Sequence, residues 1–361
     1  MKRIIAGMAA ALLAAVLFFP CKVSALSAEK AVLMDAKTQR VLYEKSANAR
    51  SLIASTTKIM TALIVCEQCN VLDRMSIPKE AVGIEGSSMY LKEGEVLTIQ
   101  ELLYGLMMHS GNDAATALAI YCGGTVEGFV ELMNDKAHCL NLTDTHFENP
   151  HGLDSTGHYS TAKDLAALAA YAMENPIFRQ CVSTKTLKVG QRYLTNHNKL
   201  LWRVEGADGV KTGYTKAAGR ILVSSATRDG RRLVAVTINA PNDWNDHESL
   251  YNVGFRDFTV RTIVDAGEVL GTAEVASGLV GCVDLVADEG FVFPIKPEEK
   301  VAIRLQKPGF VYAPVAENDF AGYAYICVDG VAVGKVRLVY ADTVEQRIPP
   351  KRSFLKKLFG E

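Results

Sequence analysis

Alternation of apolar and polar side chains marks the first structured stretch. Over residues 30 to 45, in AVLMDAKTQRVLYEK, it reads as a hairpin turning at Asp35-Ala36-Lys37-Thr38. The period then lengthens. From Ser55 to about Cys69, Ile59, Met60, Leu63 and Ile64 recur at helical spacing. TIQELLYGLMMHS predicts a second helix, with Thr98 as N-cap and Glu101 three residues on completing a capping box. NDAATALAIYC predicts a third helix, alanine-rich and therefore closely packed. STAKDLAALAAYAM predicts a fourth, capped by Ser160. Strands then return in GRILVSSATRDGRRLVAVTINA, two apolar runs around Asp229-Gly230, a strong hairpin signal. Strands at both ends with helices between predict an antiparallel sheet built from the two ends of one domain, with helices packed on it.

The pattern changes again after YNVGFRDF (251 to 258). Residues 264 to 345 alternate in short strands, with turns at Asp288-Glu289-Gly290 and Asp329-Gly330. This predicts a small all-β domain without a reactive cluster. The fold class is therefore α/β in the α+β sense: an antiparallel sheet with helices, followed by a small all-β C-terminal domain. The boundaries read as 1–25 for a signal peptide, 26–262 for the first domain, 263–347 for the β-rich domain and 348–361 for a tail. In that tail, Phe354, Leu355, Leu358 and Phe359 fall on one helical face, beside Lys351, Arg352, Lys356 and Lys357. A basic amphipathic terminus of this kind lies on an anionic membrane surface.

The leader supports that placement. Lys2 and Arg3 precede an apolar run from Ile4 to Phe19, and Val23-Ser24-Ala25 offers small residues for cleavage after Ala25. The expectation is an exported protein, peripheral on the outer face of the cytoplasmic membrane. A length of 361 residues predicts two domains. A net charge of −1 leaves no bulk field for nucleic acid. Of the 8 cysteines, Cys21 lies in the leader. The odd remainder cannot all pair within one chain. Cys66 and Cys69 have metal or redox spacing but continue a helix, without a second such pair or clustered histidines. Buried thiols are the expectation, with a disulfide or a metal site as alternatives.

Three short motifs carry the candidate chemistry: Ser55-Thr56-Thr57-Lys58, Ser110-Gly111-Asn112 and Lys211-Thr212-Gly213. Each alone is commonplace, since Ser-Gly-Asn is an ordinary turn or cap and Lys-Thr-Gly an ordinary loop. Their order, separation and secondary context make chance coincidence improbable. A serine hydroxyl needs a base to become a nucleophile. Lys58, one helical turn on, can reach it, and must be neutral to do so. Burial and a second cation, Lys211, both lower its pKa. Ser110 can relay a proton to a leaving amine, and Asn112 can hold Lys58 and a substrate amide. A serine at a helix N-terminus has its own N–H available to a developing oxyanion. Gly213 lets substrate backbone approach the strand edge, while Lys211 and Thr212 would attract a terminal carboxylate.

The trio is the signature of serine penicillin-binding proteins and class A β-lactamases. The chain resembles the low-molecular-mass penicillin-binding proteins of the serine-type D-alanyl-D-alanine carboxypeptidase family. The stretches SSMYLKEGEVLTIQELLYGLMMHSGNDAATALA, FENPHGLD, NHNKLL and GADGVKTGYTKAAGRILVSSATRDG resemble that family too, and the likeness covers roughly residues 27 to 258. It implies a serine β-lactamase/D,D-peptidase-like catalytic domain that removes the last D-alanine from peptidoglycan stem peptides through an acyl-Ser55 intermediate. It also implies covalent binding of β-lactams, no cofactor and no metal. The resemblance makes Ser55, Lys58, Ser110 and Asn112 catalytic. Lys211, Thr212, Gly213 and Tyr214 bind substrate, with the Tyr214 N–H as second oxyanion donor. His151 reads as part of a shaped loop, and Asp154 and Asp164 as structural charges. One departure stands out. Some relatives place an arginine before the last helix, but APNDWNDHESLYNVGF has none there, leaving carboxylate recognition to Lys211 and Thr212.

Rival readings share the site. A D,D-endopeptidase or a weak transpeptidase differs only in which amine leaves or attacks. A β-lactamase of class A needs Glu-x-x-x-Asn between the second and third motifs; Glu148 lies there, but Gly152 stands four residues on. A non-catalytic surface-binding protein would be expected to have lost the serine or the lysine.

Overall fold

The structure is a computed structural model that describes residues 26–348; the expected leader, and the tail beyond Ile348, lie outside them. After Arg256 the chain divides into two compact units.

In the first unit, strands β1 (Lys30–Asp35) and β2 (Val41–Lys45) form the expected hairpin. Asp35 holds its turn by accepting from the Thr38 N–H and hydroxyl at 3.0 and 2.9 Å. Helices follow: α1 (Lys58–Gln68), α2 (Ile99–Met108), α3 (Asn112–Gly123), α4 (Val126–Cys139), α5 (Ala162–Ala172), α6 (Pro176–Ser183) and α7 (Leu200–Arg203). Strands β3 (Ala207–Thr215), β4 (Gly219–Arg228) and β5 (Arg231–Ile238) then precede α8 (Asp243–Asp257). The sheet order is β2-β1-β5-β4-β3, antiparallel throughout, so the two ends of the unit do meet at β1 and β5. Between β4 and β5, Asp229 (φ 49°) and Gly230 (φ 77°) occupy the left-handed region that a tight hairpin requires.

The capping box on α2 is complete: Thr98 Oγ1 accepts from the Glu101 N–H at 3.1 Å, and Glu101 Oε2 accepts from the Thr98 N–H at 2.8 Å. The cap of α5 differs from expectation. Thr161, not Ser160, accepts from the Asp164 N–H, because the Ser160 backbone bridges to Ser51 and its hydroxyl bonds Thr145. Strands β4 and β5 are buried along continuous runs because both faces are covered. Helix α5 packs on β1 and β5. On α8, His247 bonds Ser224 and Thr237, and Gly254 sits against Leu33 and Leu233. Helices α1 to α6 close a large apolar core against the sheet.

The second unit pairs β6 (Thr259–Val264) with β9 (Phe291–Ile295), apart from a six-stranded sheet. That sheet runs β10 (Val301–Gln306), β12 (Phe320–Val328), β13 (Val331–Tyr340), β8 (Cys282–Ala287), β7 (Val269–Ala276) and β11 (Phe310–Tyr312). Asp329-Gly330 turns the β12–β13 hairpin, as the sequence predicts.

The thiols are less uniform than expected. All seven cysteines among the described residues are free; Cys66, Cys181 and Cys327 are buried, but Cys139 and Cys282 are exposed.

Candidate active site

The first motif does not open directly as an α-helix. Residues Ala54–Thr57 form a 3-10 turn that leads into α1, with Ala54 at φ 45°. The tighter turn still sets Ser55 and Lys58 on one side, and Lys58 Nζ lies 3.1 Å from Ser55 Oγ. The same nitrogen donates to Asn112 Oδ1 and to the backbone carbonyl of His151, both at 2.7 Å.

The same three partners would take the three donors of an ammonium; in the neutral amine two donors reach the two carbonyl oxygens and the lone pair faces the Ser55 hydroxyl. The surroundings favour that state. Lys58 is fully buried, and burial first, then the positive charge of Lys211, push its pKa well below the ordinary lysine value; Asp113 pulls weakly the other way.

Elements on three sides hold these groups. Asn112 opens α3, and its Nδ2 donates to Glu85 O. The adjacent Asp113 is buried and accepts from the Met89 and Leu91 N–H groups and the Ser88 hydroxyl, tying the loop at 88–91 to the helix. Ser110 precedes α3 in left-handed backbone, φ 64°, and lines the cleft with Ser55. The loop carrying His151 is fixed by Thr61, which donates to Pro150 O at 2.6 Å, and by Asn149, which accepts from the Gly152 N–H at 2.7 Å. It is thus the His151 carbonyl that touches the base. Its ring is held neutral, its pKa pushed down to about 4 chiefly by burial. Asp154 accepts from Thr215, and Asp164 from Asp144 and Thr145, so both brace loops.

The third motif lies on β3, the edge strand of the sheet. Lys211 is buried, and burial lowers its pKa to about 7. Its Nζ donates to Thr212 O at 2.9 Å. Gly213 packs so closely on the first motif that a Cβ there would stand 3.3 Å from Ser55 N. Tyr214 is exposed. Ser55, Ser110, Thr212, Gly213 and Tyr214 line one cleft of about 640 Å³. All eight residues singled out from the sequence therefore fall at or beside this cleft.

Further residues line it that the sequence did not flag. His197, on the loop before α7, is neutral, its pKa pushed to about 4 by burial and by Lys211. Trp202, Trp244, Asp243 and Arg220 are also among its walls. Arg220 stands on β4 directly opposite Tyr214, so an arginine does reach the cleft, from a neighbouring strand rather than from the segment before the last helix. The signal available was only its place just after the Lys-Thr-Gly strand.

Comparison with known proteins gives the family and the fold. Residues 19–242 match the family model for D-alanyl-D-alanine carboxypeptidase, and residues 258–346 match that for the penicillin-binding protein 5 C-terminal domain. The chain is similar to D-alanyl-D-alanine carboxypeptidase DacF of Bacillus subtilis, 30% identical over 350 residues, covering 92% of this chain and 90% of the relative. It is 36% identical to DacD of Escherichia coli over 276 residues, 72% of this chain and 71% of the relative. Among solved structures, penicillin-binding protein 5 from Haemophilus influenzae superposes with a TM-score of 0.79 at 28% identity, covering 91% of this chain and all of that one. The Streptomyces K15 DD-transpeptidase does so with a TM-score of 0.62 at 35% identity, over 64% of this chain and 99% of that one.

Proposed function

From a chain that belongs to the D-alanyl-D-alanine carboxypeptidase family of serine hydrolases, we infer how the cleft divides the work. Neutral Lys58 takes the proton of Ser55 as the oxygen attacks the carbonyl between the last two D-alanines of a peptidoglycan stem peptide. The N–H groups of Ser55 and Tyr214 receive the oxyanion. Ser110 passes the proton to the departing amine as the C–N bond breaks, and free D-alanine leaves. Water then cleaves the Ser55 ester, with Lys58 again accepting the proton. Asn112 holds Lys58 and the substrate amide, while Lys211 and Thr212 attract the terminal carboxylate. A β-lactam ring presents the same carbonyl and acylates the same serine. The leader and the basic amphipathic tail support work outside the cytoplasm, peripheral to the membrane surface; among the described residues no helix is long and apolar enough to cross a membrane.

One observation carries this reading: Lys58 Nζ is buried, 3.1 Å from Ser55 Oγ, with its two donors already engaged by Asn112 and His151. The test is labelled penicillin on the purified protein, followed by peptide mapping, with D-alanine release from a stem pentapeptide assayed in parallel. Label is expected on Ser55 and absent after Ser55→Ala. Undiminished D-alanine release from Ser55→Ala would end the proposal. A β-lactamase reading is weakened by Glu148, which is exposed and bonds Ser155 and the Gly157 N–H, and predicts rapid turnover of the bound drug, where the carboxypeptidase reading predicts persistence.

A further inference from the structure

Cys66 and Cys69 have redox spacing in the sequence, but the structure gives them different neighbours. Cys66 is buried within α1 as part of the apolar core, near Cys181. Cys69 ends that helix: its N–H donates to Val65 O at 3.0 Å, and its own backbone is extended. Its thiol is half-buried and meets the thiol of Cys122 in a side-chain hydrogen bond. Cys122 stands in the last turn of α3, and its Sγ also donates to Gln68 Oε1 at 3.8 Å. Two thiols far apart in sequence are thus in contact where two helices end.

Those helices are the ones that carry the first two motifs. Lys58 opens α1 and Asn112 opens α3, and the two helices pack on each other. At their starts Lys58 Nζ donates to Asn112 Oδ1 at 2.7 Å; at their ends Cys69 meets Cys122. The thiol contact is also unequal. It holds Cys69 above the ordinary cysteine value, with burial adding to the effect, and it holds Cys122 below that value. Cys122 is therefore the thiol that ionises first and attacks.

We propose that Cys69 and Cys122 form a redox site, which a disulfide donor converts into a disulfide tying the end of α1 to the end of α3. The Cys122 thiolate attacks one sulfur of the donor, the donor's S–S bond breaks, and its other sulfur leaves as a thiolate. Cys69 gives its proton to that thiolate and attacks the Cys122 sulfur, expelling the second donor sulfur, which takes up a proton. The two cysteines lose two protons and two electrons in all, and the donor becomes two thiols. The bond closes the segment from 70 to 121 into a loop and braces the helix pair from the side away from the cleft, which neither cysteine lines. An exported chain meets the oxidising conditions in which such a bond persists. The site is independent of the carboxypeptidase chemistry at Ser55.

The test takes the full chain, first reduced and then equilibrated with oxidised glutathione. Free thiols are alkylated, and the protein is digested with trypsin and with a protease that cuts after glutamate. Cleavage after Glu67 separates Cys66 from Cys69, so each bond can be assigned. The expected product is a peptide pair joined at Cys69 and Cys122, lighter by two hydrogen atoms than its separate members. In parallel, tryptophan fluorescence follows thermal unfolding of the first unit, which holds Trp202 and Trp244. Oxidised wild type should melt about 5–15 °C above the reduced protein, the size expected for closing a loop of this length. That difference should vanish in Cys122→Ala and persist in Cys139→Ala, which removes an exposed thiol. Recovery of Cys69 and Cys122 unlinked after oxidation would overturn the proposal, as would a bond from Cys69 to Cys66 in their place. A linked pair whose oxidised and reduced forms melt together would overturn the tie between the helices. These comparisons within wild type hold even if Cys122→Ala fails to fold.

Discussion

Replacing Lys211 by methionine should stabilise the first unit at neutral pH, by an amount that shrinks as the pH rises. Lys211 is buried, and its pKa drops from an ordinary 10.5 to about 7 in the folded protein. A lysine whose folded pKa is depressed binds its proton more weakly in the native state, so its charge opposes folding. That penalty is greatest below the folded pKa, and is relieved as pH climbs from there toward the unfolded value. With these two pKa values the penalty is about 4 kcal/mol at pH 7 and about 2 kcal/mol at pH 9, at 1.36 kcal/mol per pKa unit. Methionine fills similar volume and carries no charge. It also leaves Thr212 O without its donor, costing about 1–3 kcal/mol, but that cost does not vary with pH. The pH-dependent difference of about 2 kcal/mol between pH 7 and 9 is therefore the clean quantity. Both tryptophans, Trp202 and Trp244, lie in the first unit, so intrinsic fluorescence in urea reports its unfolding alone. A wild-type minus variant difference that stays flat within about 0.5 kcal/mol across pH 7 to 9 would refute the burial argument, since the penalty it invokes must follow the proton.

The same substitution has a catalytic signature. Lys58 must be neutral to act, and the Lys211 charge helps keep it so; without that charge the acid limb of penicillin acylation in Lys211→Met should move to higher pH, by about one unit or more, in a stopped-flow profile. Gly152→Ala should be destabilising and slow. At φ 91° a side chain is strained, and its Cβ would meet Ala54 O at 1.9 Å, so the loop holding the His151 carbonyl over Lys58 must move. A loss of at least about 2 kcal/mol in stability is expected, with a fall in acylation rate beyond 10-fold; unchanged acylation would show that the carbonyl is dispensable.

What could be read from the chain follows its local chemistry. The hairpins at residues 35 and 229 were legible because their turn residues need left-handed backbone or side-chain bonds that only a few types supply. The capping box at Thr98 and Glu101 was legible for the same reason. Helix α8 was not, because its buried face includes Asp243 and His247, which bond into the sheet, and Asp246, which bonds Ser27 and Ala28 just before it, and these erase the apolar stripe. Helix α4 hides differently: only Phe129, Met133 and Ala137 are buried, too thin a stripe to stand out. The cap at Thr161 was misplaced by one residue because two neighbouring hydroxyls compete, and the choice depends on Ser51 and Thr145, distant in sequence. In the site, motif order brought together Ser55, Lys58, Ser110, Asn112 and the strand at 211–214. It could not give the role of the His151 carbonyl, which any residue type would offer, nor the place of Arg220, which depends on β-pairing.

The two buried lysines show why the motifs must be read together. A lone lysine buried at position 58 would lose its proton to desolvation and be held neutral by burial alone. A second one nearby gives the pair unequal states, because the first proton to bind discourages the other. Burial lowers both, and the charge of Lys211 lowers Lys58 further, so Lys211 is the easier of the two to charge, while Lys58 lies against Ser55, Asn112 and His151. Base and cation therefore come from the same residue type, separated by burial and by the charge that Lys211 places beside Lys58. A substrate carboxylate arriving near Lys211 would raise its pKa and strengthen its charge, which in turn depresses Lys58 further. Binding the correct end of a peptide thereby favours the neutral base.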